Sequence, residues 1–201
     1  MHYEHLTIIF NGEIYNHLTV RKKHGLNCTS NSDTETILHA YAKLGPACLD
    51  DFDGMFAFAI LDRNKNELFL ARDRAGKKPL YYYADGKAFV FASELNALRH
   101  QLKLEVDETN IEQYVHAAYF YRSSTPYKNV KELPSGSYAF VSLDTLEIKL
   151  TRWWDIHTYY QQHSTDSFDT ALQKVDTILH EAIKSRVESS DLEVGSFLSG
   201  G

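Results

Sequence analysis

The sequence predicts an α+β fold, with antiparallel strands in layers and helices set against them. Three observations carry this. Apolar runs bounded by hairpin signals recur from Gly54 to Ala92 and again from Ser137 to Leu150. Helical spacing of apolar residues marks two other segments, one after Ser32 and one after Asp107. The composition, 43% hydrophobic and 24% charged over 201 residues, is that of a globular chain long enough to bury a substantial core.

Taken in order, the apolar run His5–Phe10 reads as a strand that runs into "NGEIYNH". Two readings of Asn11-Gly12 stand side by side. Asn-Gly tolerates positive φ and is a common chain reversal. Alternatively, an amide side chain and a free backbone N–H face a developing oxyanion, with a carboxylate beside them for a substrate ammonium. His17–His24 is polar and reads as a helical turn or two stopped by Gly25. Ser32 reads as an N-cap, with Glu35 at capping-box spacing. Ile37, Leu38, Tyr41 and Leu44 follow at helical spacing, and Gly45-Pro46 ends that element.

From Gly54 the period changes. Met55–Leu61 is a strand apolar on both faces, Asp62–Asn66 a turn, and Glu67–Ala71 the returning strand. Leu80–Tyr83 and Ala88–Ala92 form a second hairpin through Ala84-Asp85-Gly86-Lys87. Ser93 reads as the cap of a short helix, Glu94–Leu98, and Asp107-Glu108-Thr109 opens another. A loop containing Pro126 and Pro134 leads to a late hairpin, Ser137–Val141 with Glu147–Leu150. Residues 155–166 read as a polar linker, and Phe168–Val187 as an amphipathic helix. Val194–Leu198 then reads as a strand entering Ser199-Gly200-Gly201, the kind of turn that feeds a phosphate-binding helix N-terminus.

Bulk properties narrow the function. A net charge of −6 argues against nucleic-acid or anionic-membrane partners. No apolar run approaches the roughly 20 residues of a membrane span, and Met1–His5 has no signal-peptide core. Two cysteines, Cys28 and Cys48, make no disulfide framework, which points to a reducing cytoplasm. The ten histidines show no metal-ligand spacing, so no metal site is expected.

The blocks "NGEIYNH", "SDTETIL", "GMFAFAILD", "RDRAGKKPLYY", "FASELNAL", "LPSGSY" and "FLSGG" occur in this order. Together they resemble the glutamine-hydrolysing asparagine synthetases. The resemblance implies a class II glutamine amidotransferase domain over residues 1–154. Its fold would be an N-terminal-nucleophile hydrolase sandwich of two antiparallel sheets between helices, incomplete at its N-terminus. Residues 155–166 would be the linker. Residues 167–201 would be the first helix and strand of an α/β ATP pyrophosphatase domain. In that family ammonia released from glutamine reaches an adenylated aspartate through an internal tunnel. Glutamine, aspartate and ATP are thus the implied substrates, with Mg2+ accompanying ATP in the whole enzyme and no cofactor within these residues. A homodimer is a candidate assembly.

Residue by residue, the resemblance implies that the Asn11 amide and the Gly12 N–H form the oxyanion hole. Glu13 and Asp33 would hold the α-amino end of glutamine. Asp33 also has a plainer reading, since an acid in the first turn of a helix is favoured by the dipole. Leu198, Ser199, Gly200 and Gly201 would begin the loop that wraps ATP phosphates. Arg72-Asp73 reads as an ion pair shaping a turn, with Gly76 and Pro79 fixing the backbone. Tyr81, Tyr82 and Tyr83 read as core, Trp153-Trp154 as domain packing, and Glu94 as the partner of a basic residue at the domain boundary.

One departure matters. The family's nucleophile is a cysteine just behind the initiator methionine, with its own α-amine as general base. Here His2 follows Met1, and both cysteines are internal. The strands and the carboxylate-binding arginine that would precede Leu6 are also missing. The sequence therefore reads as truncated at both ends, and is expected alone neither to hydrolyse glutamine nor to bind ATP. Two alternatives stay open: an amidotransferase of the same plan with another acceptor, and a non-catalytic glutamine-binding domain.

Overall fold

The computed structural model describes residues 1–121, 123–190 and 193–196. They fall into two compact units, Met1–Asp155 and Ile156–Gly201.

The first unit opens with β1 (His2–Tyr3) and β2 (Leu6–Ile14), followed by α1 (His17–His24), α2 (Asp33–Leu44) and a 3-10 segment, Gly45–Asp51. Next come β3 (Gly54–Asp62), β4 (Glu67–Arg72), β5 (Tyr81–Ala84), β6 (Phe89–Ala92), α3 (Leu95–Gln101) and α4 (Glu108–Ala117). The unit closes with β7 (Val130–Glu132), β8 (Ser137–Ser142) and β9 (Ile148–Arg152). A six-stranded sheet has the order β1-β2-β3-β4-β8-β9, and a three-stranded sheet the order β6-β5-β7. Every paired strand is antiparallel.

The layers follow from the alternation in β3. Phe56, Phe58 and Ile60 point to one face and join Ile8, Phe69, Val20 of α1 and Ile37, Leu38 and Tyr41 of α2 in a core. Ala57 and Ala59 point to the other, where Leu70, Ala139 and Val141 meet Leu80, Tyr82 and Leu133. Large side chains thus fill the space under the helices, while alanines let the small sheet approach closely. Each buried Phe or Leu contributes about 1.5–3 kcal/mol to this arrangement.

The expected α+β class with antiparallel sheets is present; several local expectations are corrected. The first strand does not end at Phe10. β2 continues through Asn11 and Gly12 to Ile14, in register with β3 (Asn11 opposite Ala57, Gly12 opposite Phe56), so there is no chain reversal at Asn11-Gly12. Gly12 lies at φ 151°, and a Cβ there would sit 2.1 Å from the Met55 carbonyl oxygen. A Cβ on Gly54, opposite Ile14, would sit 2.2 Å from the Glu13 oxygen. The glycine therefore serves close strand approach, not a turn.

The capping box at Ser32 is also absent. The Ser32 side chain makes no cap bond, and Glu35 turns back to the preceding loop. Its carboxylate accepts from the N–H and hydroxyl of Thr29 (2.7 and 3.0 Å) and of Ser30 (2.7 and 2.6 Å).

Arg72 and Asp73 shape their turn separately rather than as a pair. The Asp73 carboxylate, 1% exposed, accepts from four backbone N–H groups: Phe56, Ala75, Lys77 and Lys78. Arg72 donates to the carbonyls of Lys78, Leu133 and Gly76 and pairs with Glu132 at 2.7 Å. That fork ties the turn to β7, a strand too short to be read from sequence.

Of the three tyrosines only Tyr82 is core; Tyr83 donates its hydroxyl to Asp85. Trp153 packs on Phe56 within the first unit, under the Arg74 guanidinium. Glu94 is exposed at the N-cap of α3 and forms no ion pair among the described residues.

The second unit holds α5 (His157–Tyr160), inside the expected linker, and α6 (Phe168–Glu188). Ser167 caps α6 by accepting from the Thr170 N–H. Leu172, Val175, Ile178, Leu179 and Ile183 align on one side of that helix, as their spacing predicts. Residues 193–196 are not strand. Leu198, Ser199, Gly200 and Gly201 lie outside the described residues. Among the described residues no helix is long and apolar enough to cross a membrane.

Candidate active site at an open strand edge

Strand parity organises the candidate site. The Tyr15 N–H bonds the Asp53 carbonyl, so odd-numbered β2 residues direct their N–H groups toward β3. Even-numbered residues direct theirs the other way. Ile8, on that side, exchanges hydrogen bonds with Met1. β1 pairs only with Leu6 and Thr7, so beyond Ile8 this edge of β2 carries no strand. The Gly12 N–H lies on the open edge and has no acceptor among the described residues.

Two residues further on, the Ile14 N–H on the same edge donates to Asp33 Oδ2 at 3.0 Å. The carboxylate at the start of α2 is thereby fixed about 7 Å along the strand from the Gly12 N–H, two residues at roughly 3.4 Å each. Asp33 occupies the first turn of α2, as its plainer reading has it, and its carboxylate faces the strand edge.

Side chains alternate in the same way. Leu6, Ile8 and Ile14 enter the core under the helices. Ile9, Asn11 and Glu13 take the opposite face, toward the small sheet. Ile9 and Asn11 line a pocket of about 140 Å³ with Ala57, Ala59, Phe91 and Ser93. There Asn11 Nδ2 donates to Ser93 Oγ at 3.3 Å. Glu13 is half-buried on the same face of the strand.

His17, at the start of α1, was not singled out by the sequence. Burial, and then Arg21, hold its imidazole below the ordinary range, against the opposing pull of Asp33 and Glu13. Its Nδ1 is buried with no partner among the described residues. The signal was present in "NGEIYNH", where His17 follows the candidate carboxylate by four positions.

Neither cysteine is activated. Burial raises the Cys28 thiol, and Cys48 is fully buried with its thiol pushed up further by the same cause. Cys28, Glu35 and His39 bring possible ligand atoms within 4.8 Å of one another. The Glu35 carboxylate, however, already accepts four hydrogen bonds, the full capacity of its lone pairs. It anchors the Thr29–Ser30 loop and offers no third ligand.

Those same bonds hold the Glu35 pKa down to about 2, from 4.5. A depressed folded-state pKa contributes stability above the unfolded value, and that stability is lost as pH falls through the folded one. The expected result is that Glu35→Gln narrows the stability gap between pH 5 and pH 2, measured by urea unfolding at each pH. An unchanged acid slope would contradict the assignment.

The structure thus brings an open strand edge carrying the Gly12 N–H, the Asn11 amide on the adjoining face and the Asp33 carboxylate fixed nearby into one region. A profile of the glutamine amidotransferase domain family matches residues 1–154, and the chain belongs to that family. It is 38% identical over 204 residues to glutamine-hydrolysing asparagine synthetase 3 of Bacillus subtilis, covering 97% of this chain and 32% of that protein. It is 32% identical over 211 residues to asparagine synthetase 2 of the same organism, covering 98% and 28%. The chain thus spans about a third of the length of the curated relatives it matches. Among solved structures, the glutamine phosphoribosylpyrophosphate amidotransferase of B. subtilis aligns over 74% of this chain and 29% of its own, with a TM-score of 0.52 and 22% identity, a likeness of fold.

Proposed function

We propose that this chain is the glutamine-handling part of a glutamine-dependent asparagine synthetase, followed by the beginning of its ATP-using domain. The observation that carries the reading is the Gly12 N–H on the uncovered edge of β2, between the Asn11 amide and the Asp33 carboxylate.

Glutamine laid along that edge would set its carboxamide oxygen against Asn11 and Gly12, and its ammonium against Asp33 and Glu13. When a thiolate attacks the carboxamide carbon, the oxygen becomes an oxyanion, and each donor there lowers the barrier by about 3–4 kcal/mol. Collapse of the tetrahedral intermediate releases ammonia and leaves an acyl-enzyme for water to hydrolyse. Burial raises the Cys28 and Cys48 thiols, which does not suit the nucleophile's role, and the chain alone is expected to turn over no glutamine.

In the whole enzyme the ammonia would amidate aspartate activated by Mg2+-ATP. Leu198, Ser199, Gly200 and Gly201 would open the phosphate loop, after a helix at Phe168–Glu188. The first unit would then be the sandwich domain of N-terminal-nucleophile type, working in the cytoplasm.

The test is calorimetric titration of the chain with L-glutamine and with 4-carbamoylbutyrate, which keeps the carboxamide and lacks the α-amine. Binding of glutamine, weakened at least tenfold for the amine-free analogue and without ammonia release, is the expected result. Equal affinity for both would overturn the reading, and ammonia release above background would overturn the expected inactivity of the chain alone.

A further inference from the structure

We propose that Ser93 is a positioning residue that fixes the amide of Asn11. This rests on the reading of Asn11 as an oxyanion donor and extends it to a group from the other sheet. Ser93 stands two positions ahead of α3, where the sequence reads a serine cap. It does not cap: the N-cap is Glu94, and no side chain makes the cap bond. Instead Ser93 Oγ accepts from Asn11 Nδ2 at 3.3 Å, across 82 positions of sequence.

The surroundings make that bond consequential. The pocket that both side chains line, about 140 Å³, is otherwise walled by groups such as Ile9, Ala57, Leu80 and Phe91. An amide in such a place has little else to hold it, and a carboxamide rotates about its terminal torsion between two opposed orientations. One presents N–H donors to an oxyanion; the other presents a carbonyl oxygen, which repels it. With one N–H held by Ser93, the nitrogen end stays toward the pocket and the second N–H is left for the substrate. Ser93 touches no reacting atom in this scheme and acts through Asn11 alone. It also links the small sheet, through the end of β6, to the working edge of β2.

The experiment is NMR of the 15N-labelled chain and its Ser93→Ala and Ser93→Thr variants, following the side-chain NH2 of Asn11, assigned by its loss in Asn11→Asp. L-glutamine is then titrated into each. In the wild type the two Asn11 amide protons should be well separated and slow to exchange with solvent. Ser93→Ala should bring them to solvent-exposed values and weaken glutamine binding about fivefold, the equivalent of one neutral hydrogen bond. Backbone amides of β2 should stay in place, and Ser93→Thr, which keeps the hydroxyl, should behave as wild type. Unchanged Asn11 resonances in Ser93→Ala would overturn the proposal even where glutamine binds. A wild type that ignores glutamine, yet whose Asn11 resonances respond to Ser93→Ala, would overturn the glutamine site and leave the positioning role standing.

Discussion

Replacing Asp73 by alanine is expected to destabilise the first unit by about 4 kcal/mol, more than any other single polar substitution proposed for this chain. The carboxylate is 1% exposed and accepts from the N–H groups of Phe56, Ala75, Lys77 and Lys78. One of these belongs to β3, the others to the turn after β4. Removing the side chain leaves them without an acceptor, and each buried unsatisfied donor costs about 1–3 kcal/mol before the turn relaxes or water enters. Asp73→Asn keeps one carbonyl oxygen and should lose roughly half as much. In a chain of this size a 4 kcal/mol loss lowers the melting temperature by about 8–16 °C. A shift under about 3 °C in the alanine variant would show that the turn holds without its anion.

Gly12→Ala is the second large effect, and it joins stability to function. The added Cβ would meet the Met55 carbonyl oxygen at 2.1 Å and the Phe56 Cα at 2.7 Å, both backbone atoms of β3. Backbone cannot swing aside as a flexible side chain can, and φ 151° is itself unfavourable for alanine. The strands must part at this point, at a cost of about 3 kcal/mol. Because the Gly12 N–H is one of the proposed donors, glutamine binding by the folded fraction should fall at the same time. Chemical denaturation and calorimetry on one preparation separate the two effects. Retained affinity in a destabilised Gly12→Ala chain would remove Gly12 from the site.

How much of this was legible beforehand depended on length and on parity. The pair β3–β4 was readable because two long apolar runs flank a short polar turn. β1 and β7 were not, at two and three residues, because β7 is placed by its pairing with β5 and by the Arg72–Glu132 contact, both made only in the folded chain. Asn11-Gly12 misled as a turn signal because Asn-Gly is ambiguous by itself. The alternation of Leu6 and Ile8 with Thr7 and Ile9 continues through Glu13 to a buried Ile14, and following that period would have carried the strand past the glycine. An extended strand leaves the Gly12 N–H at its edge as a bend would, so the proposed donor role does not depend on the turn. Ser32 stands at the N-cap of α2 as read, but its side chain makes no cap bond, and Ser93 lies one position ahead of the Glu94 N-cap of α3. Where their hydroxyls and the Glu35 carboxylate point was decided by contacts that only the folded chain brings together.

The central claim is that the β2 edge from Asn11 to Ile14 is where glutamine binds. Backbone 1H–15N spectra of the chain, recorded through a titration with L-glutamine, test it most directly. Saturable shifts of the Gly12 amide, with smaller ones at Glu13, Ile14 and Asp33, are the predicted result. Saturable binding that leaves Gly12 and Ile14 unmoved, or shifts confined to residues away from this edge, would contradict it.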